Sequence, residues 1–291
     1  MIWVCVLVRV VANPCTNVLQ KLLTRKDADP LFIICATHAL LSLACLPLVM
    51  AFLPPLSGEF WLNVSASAAL AVGGNVLLVQ AVRRSDLSVL GPINAYKPVI
   101  SLAPGMIFLG EAPSLMALSG IGLVVAGSYG LVDRDGEAAG GKGLSRLLGD
   151  RGVQYRVAAL VLTATEAVIL KRALLASSSP TTFAVWSLLG FGVSAAAVAV
   201  LLGGRVRHEF GVLRGSKRTY LTLFVTTGLM QLATLMTLEW LHVGSALALF
   251  QTSALLSVVL GYKVFRERHV LKRLVGSAVM ATGAALIIVG R

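Results

Sequence analysis

Four ionisable side chains interrupt stretches of sequence that are otherwise apolar: Arg9, Lys97, Glu166 and Glu239. Such a group costs on the order of a few kcal/mol in hydrocarbon unless it meets a partner, water or a polar cavity. Arg9 is followed by Asn13, Asn17 and Gln20, a spacing that lays four polar groups along one stripe of a helix. The stripe suits the lining of a polar path. The alternative is that Arg9 snorkels to the near interface while the amides bond neighbouring helices. Pro14 lies within the stripe and removes a backbone donor there. Lys97 shares a helical face with Asn94 and Ser101, adjoins Tyr96 and precedes Pro98. A lysine in mid-span is too far from either surface to snorkel, so it calls for a carboxylate, carbonyl oxygens, water or an anionic solute. A fixed structural ion pair would satisfy it equally. Pro92, Pro98 and Pro104 loosen the same segment, as expected where a span bends. Glu166, one turn after Thr163, is a candidate partner for Lys97 or Arg9 and a candidate proton carrier; a static salt bridge is the competing reading.

The elements that carry these groups are membrane spans. The chain has 291 residues, 57% hydrophobic and only 13% charged, against about a quarter charged in soluble domains. Its apolar residues come in blocks of about 20, the length that crosses a bilayer core. Ten spans are expected, near 2–22, 31–53, 61–82, 87–109, 114–132, 153–174, 181–203, 219–240, 244–265 and 270–290. The fold class is therefore an all-α integral membrane protein. Lys and Arg give a net charge of +12 but sit in the short connectors between apolar blocks. That is the cytosolic-side bias of membrane proteins, and it leaves no basic-aromatic stretch for nucleic acid. Cys5, Cys15, Cys35 and Cys45 lack CxxC or His-containing spacing and read as small buried thiols, with no metal implied. The first span lacks a small-residue cleavage site and is expected to act as an uncleaved insertion signal. No HExxH, GxSxG or P-loop pattern is present, so neither an enzyme nor a cofactor is expected.

The spans repeat. An offset of 156 pairs Ser101 with Ser257, Gly105 with Gly261, Glu111 with Glu267, Leu115 with Leu271, Leu118 with Leu274, Gly120 with Gly276 and Gly127 with Gly283. An offset of 150 pairs Val18 with Val168, Lys21 with Lys171 and Pro30 with Pro180. Residues 1–132 and 153–291 thus read as two copies of five spans, joined by the polar, Gly-rich linker 133–152. Five is odd, so the copies must insert in opposite senses. Charge agrees: the connectors after spans 2 and 4 carry no Lys or Arg, whereas their counterparts carry Arg205, Arg207, Arg214, Lys217, Arg218 and then Arg266, Arg268, Lys272, Arg273. The positive-inside bias places connectors 1–2, 3–4, 5–6, 7–8 and 9–10 in the cytosol and both termini outside. Glu111 and Glu267 fall at corners and read as structural, accepting hydrogen bonds from the amides that open the next helix. Asn75 and Gln231 occupy equivalent positions in spans 3 and 8, while Gln251 to Ser253 stand where the first copy has Ala95 to Lys97. The positive charge of Lys97 therefore has no second copy. His38 and Trp186 face one another loosely across the repeat, and Trp61, Trp240, Tyr129 and Tyr220 near span ends read as interfacial anchors.

The corner LGEAPSLMALSGIGLVVAGSYGLV, preceded by the Pro-rich fourth span, resembles the end of an EamA domain, the five-span unit of the drug/metabolite transporter superfamily. LLGYKVFRERHVLKRLVGSAVMATGAALII resembles the same element again. The resemblance spans essentially the whole chain. It implies a secondary transporter with two inverted EamA-like repeats, a central cavity, and export of small metabolites or drug-like solutes by alternating access. The expected partners are a small-molecule solute and membrane lipid, with proton coupling through Glu166, and the expected location is a bacterial inner membrane. Many members place both termini in the cytosol, opposite to the charge bias here. The cavity candidates are Lys97, Asn94, Tyr96, Asn17, Asn13, Arg9, Glu166, Asn75, Gln231 and Gln251. A lipid-handling translocase or accessory membrane protein is the alternative, with the cationic group holding a lipid phosphate.

Overall fold

The computed structural model describes residues 2–52, 55–84, 96–129, 151–253, 256 and 270–290. Among these residues there is helix and no strand. The α-helices are α1 (Ile2–Thr24), α2 (Pro30–Phe52), α3 (Gly58–Arg84), α4 (Lys97–Leu109), α5 (Leu115–Tyr129), α6 (Arg151–Leu175), α7 (Ser179–Leu201), α8 (Val206–Gly215), α9 (Lys217–Leu238), α10 (Val243–Gln251) and α11 (Val270–Val289). Each expected span overlaps one of them. The eleventh, α8, occupies the connector between spans 7 and 8, where a basic loop was expected. It is helical because Val206, Phe210 and Leu213 recur at helical spacing within the basic sequence.

Five helical segments are long and apolar enough to cross a membrane: Ile2–Thr24, Pro30–Met50, Gly58–Leu78, Ser179–Leu201 and Lys217–Leu238. Lys97–Leu109, Leu115–Gly127 and Ala278–Val289 are apolar but shorter. The count of ten crossings is thus not reproduced among the described residues. α6, 25 residues long, is not among these five. The described part of span 4 begins only at Lys97, with Tyr96 at its N-cap and Pro98 in the first turn.

The chain divides into two units, one of residues 1–72 and 169–239 and the other of residues 73–168 and 240–291. In the first unit α1 packs against α9, and α2 against α7. Along the α2–α7 contact Ser42 Oγ donates to the Ser187 carbonyl (2.9 Å), and the His38 imidazole lies over Gly190 and against Trp186, with ring centroids 4.8 Å apart. A Cβ on Gly190 would come within 2.6 Å of the imidazole, so only glycine admits the ring. Thr37 Oγ1 donates back to the Ile33 carbonyl, and Ser187 Oγ to that of Phe183, both at 2.7 Å. These bonds stand at equivalent positions under the 150-residue offset.

The connectors of this unit sort to two ends. At one end the Asp29 amide donates to Glu209 Oε2 (2.9 Å) and Lys26 Nζ to Ser216 Oγ (3.1 Å), so connector 1–2 meets the segment between α7 and α9. At the other, Arg172 pairs with Glu59 (2.7 Å) and Ser179 Oγ donates to Glu239, joining connectors 2–3, 6–7 and 8–9. The charge bias sorts the connectors into the same two sets. Glu239, expected within a span, stands exposed at the end of α9 beside the start of α7. A carboxylate is favoured there by the unpaired amides of the helix opening. Tyr220 is also unlike its expectation: it is only 2% exposed, because α8 and the 1–2 connector fold over the first turn of α9.

In the second unit α5 packs against α11 and α4 against α10. A Cβ added to Gly120 would lie 2.6 Å from the Gly283 carbonyl oxygen; one added to Gly283 would lie 2.7 Å from that of Gly120; and one added to Gly127 would lie 2.7 Å from that of Gly276. Numbers rise along α5 as they fall along α11, so the helices are antiparallel. Under the 156-residue offset Gly120 corresponds to Gly276 and Gly127 to Gly283. Each glycine therefore faces the counterpart of the other, the arrangement a two-fold axis between oppositely inserted copies produces. Close approach of backbones through small residues is how helices associate where no hydrophobic gain is available.

Candidate functional site

The candidate residues divide between the two units. In the first, Arg9 Nε donates to Thr234 Oγ1 (2.8 Å), and the same hydroxyl donates to the Met230 carbonyl (2.7 Å). The Thr234 oxygen thus acts as acceptor and donor at once, fixing the guanidinium against α9. Gln231 lies one turn before Thr234 on α9, and Asn13 one turn after Arg9 on α1. Arg9, Asn13, Gln20 and Gln231 are half-buried, while Asn17 is exposed. Thr234 was not foreseen from the sequence. Its one signal is its place three residues after Gln231, which continues a polar stripe along α9 from Thr227.

In the second unit α3 and α6 touch at Gly74, where an added Cβ would come 2.5 Å from the Thr163 methyl carbon and 3.5 Å from the Ala159 carbonyl oxygen. Asn75 follows Gly74 directly and Glu166 lies one turn beyond Thr163, so both stand close in sequence to this contact. Both side chains are half-buried. On α6 the flanking Ala164, Ala167 and Val168 are buried. Lys97 opens α4 and is half-buried; Tyr96, its neighbour, is exposed. Ser101 is buried, with its hydroxyl donating to the Pro98 carbonyl (2.7 Å). Gln251 ends α10, half-buried, and Thr252 caps that end through Oγ1 to the Leu249 carbonyl (2.6 Å). Asn94 and Glu267 lie outside the described residues.

The corner glutamate has a partner other than the one expected. Glu111 Oε2 accepts from the amide of Val243, which opens α10 (2.7 Å). The helix that follows Glu111, α5, is opened by Ser114 instead, whose Oγ accepts from the Ala117 amide (3.1 Å). Glu111 therefore ties a corner of the first repeat to a helix start in the second. The fold permits this because Gly110 adopts φ 64°, a left-handed turn that ends α4 and swings the carboxylate back along it.

No group of three or more His, Cys, Asp or Glu side chains that could hold a metal occurs among the described residues, and the four cysteines are unbridged. What the two clusters offer is half-buried hydrogen-bonding and charged groups within apolar helices. The profile of the EamA-like transporter family matches residues 4–132 and again 150–289. The chain belongs to the EamA-like transporter family. It is a multi-pass membrane protein and a transporter of small solutes, built as two repeats of the EamA unit. Among solved structures it is similar to a crystal structure of a protein 13% identical, with a TM-score of 0.69 over 96% of this chain and 95% of the other. That likeness shows a shared fold over nearly the whole chain. No curated protein sequence matches it.

Proposed function

We propose that this EamA transporter is a secondary active exporter of small polar solutes that works by alternating access. In this reading the membrane is crossed ten times, by residues 1–132 and 153–291 as two inverted copies, in a bacterial inner membrane. The observation that carries the proposal is the α3–α6 crossing, where Glu166 and Asn75 are held half-buried on either side of the Gly74–Thr163 contact. A half-buried carboxylate on an apolar helix is suited to hold a solute or to exchange a proton. Lys97, at the opening of α4, supplies the cationic group of the same unit. Arg9, Asn13 and Gln231 supply hydrogen-bonding groups in the other unit. In this proposal the solute contacts Lys97 and Asn75, Glu166 carries the coupled proton, and Tyr96 and Gln251 complete the lining.

The test is solute efflux from proteoliposomes, with and without an imposed pH gradient, after a thermal-shift screen of amino acids, quaternary cations, sugars and nucleosides has identified a stabilising solute. Lys97→Ala is expected to abolish transport while the protein still folds and melts as the parent does. Glu166→Gln is expected to remove the dependence on the pH gradient. Unimpaired transport by Lys97→Ala would make that lysine structural, and gradient-driven transport by Glu166→Gln would exclude it as the proton carrier.

A further inference from the structure

The segment from Gly203 to Ser216 joins α7 and α9, two helices long and apolar enough to cross a membrane, and so stands at one membrane end of both. Connector 1–2 lies at the same end, tied to it through Asp29 and Glu209 and through Lys26 and Ser216. α8 is fastened there in a fixed rotation. Glu209 is buried and accepts from the Asp29 amide, and the Phe210 ring stands edge-on to Phe32 at 5.3 Å. With Glu209 inward, about 100° per residue places Arg207, Gly211 and Arg214 on the opposite, outer side of the helix. All three are exposed. Gly211 has no atom within 4 Å of where its Cβ would be, so the surface between the two arginines is open. Arg25, Lys26, Arg205, Lys217 and Arg218 are exposed at the same end, where Asp27 is the exposed acidic residue. Phe210, and Leu201 and Leu221 on the adjoining spans, expose apolar side chains beside them. A short amphipathic helix with a basic outer face and apolar residues at its edge matches the charge of an anionic leaflet and its boundary with the acyl chains.

We propose that α8 and its basic flanks form a binding site for anionic phospholipid, with the lipid phosphate held between Arg207 and Arg214 over Gly211 and the acyl chains lying beside Phe210 and Leu221. The site is separate from the solute-binding residues and does not depend on their assignment. Occupation of it holds the α7–α9 connection against the bilayer surface.

The experiment titrates the purified full-length protein, in neutral detergent, with fluorescent phosphatidylglycerol and with the same label on phosphatidylcholine. Phosphatidylglycerol is expected to bind at least tenfold more tightly. The double variant Arg207→Gln, Arg214→Gln is expected to lose that preference by roughly thirtyfold, the effect of removing two surface cations. Gly211→Glu, which keeps both arginines and places a carboxylate between them, is expected to lose it as well, so the inference is tested even if the double variant misfolds. Equal affinity for the two lipids, or a preference unchanged in both variants, overturns the proposal. Competition by millimolar inorganic phosphate that removes phosphatidylglycerol binding also overturns it, since the site would then recognise a free anion and not a lipid.

Discussion

Gly120 and Gly122 lie within one turn of the same helix, yet the structure assigns them opposite roles. At Gly120 a Cβ would meet the Gly283 carbonyl oxygen at 2.6 Å, the Ile287 side chain at 2.8 Å and the Ile287 amide nitrogen at 2.9 Å. Two of these three are backbone atoms of α11 and cannot turn aside. The helices would have to separate by several tenths of an ångström. Separation would loosen the packing of Ile121, Val124, Met280 and Ile287, all of which are buried. Overpacking of this kind costs roughly 1–3 kcal/mol. At Gly122 a Cβ would meet nothing within 4 Å, so alanine there changes only backbone freedom and gains up to about 1 kcal/mol.

The measurement is thermal or denaturant unfolding of purified Gly120→Ala and Gly122→Ala in the same detergent, followed by helicity. Gly120→Ala is expected to be destabilised by about 1–3 kcal/mol and Gly122→Ala to be unchanged or slightly more stable. Adding Gly283→Ala to Gly120→Ala should cost less than the sum of the two single changes, because the first Cβ already separates the helices that the second would separate. Equal effects at Gly120 and Gly122, or strict additivity of Gly120 with Gly283, would refute the antiparallel glycine crossing.

Glu111→Ala should destabilise the protein by about 1.5–3 kcal/mol, the cost of a buried amide at Val243 losing a charged acceptor, while Glu111→Gln, which keeps an acceptor oxygen, should recover at least half of that in the same unfolding assay. Arg172→Gln removes an ion pair whose side chains are 35% and 59% exposed, and its melting curve should match the parent within about 0.5 kcal/mol. A reporter active only outside the cytosol, fused at Arg291, should be active if the connector sorting follows the positive-inside bias; a silent fusion, with a cytosolic reporter active at the same site, would reverse the orientation.

The sequence carried the symmetric part of this fold: α2 with α7, α4 with α10 and α5 with α11 join repeat-related elements, and α1 with α9 and α3 with α6 are two copies of one pairing. Sorting of connectors into two ends followed from charge, and contacts such as Asp29 with Glu209 and Arg172 with Glu59 sort the same connectors together. The offset marked Gly120 and Gly127 but not which glycine each would face, because an offset compares copies and says nothing of the axis between them. Partners across the repeat were hidden for the same reason: Glu111 bonds the amide of Val243, which opens a helix of the second copy. Thr234 carries no charge and has no repeated counterpart, so its contact with Arg9 left no trace in the pattern. The helical α8 was obscured by its basic residues, whose number suggests a solvated loop although three apolar residues keep helical spacing.

The two kinds of residue also differ in how they treat the symmetry. Glu111 and Glu267, Gly120 and Gly276, Gly127 and Gly283 occur in both copies, and those described sit at helix crossings and corners. The ionisable candidates occur once. Under the same offsets Arg9 stands opposite Ala159, Glu166 opposite Thr16 and Lys97 opposite Ser253. In the proposed alternating-access cycle the two copies exchange roles, which requires matched helix contacts, because each half must take up the conformation the other leaves. A solute has no such two-fold symmetry, and the groups that recognise it need none. Under the proposed function, charge confined to one member of each pair is what separates recognition from scaffold. It predicts that exchanging Lys97 with Ser253, which moves the cation into the other copy, abolishes efflux from proteoliposomes while the protein still melts as the parent does; unimpaired efflux would refute the assignment.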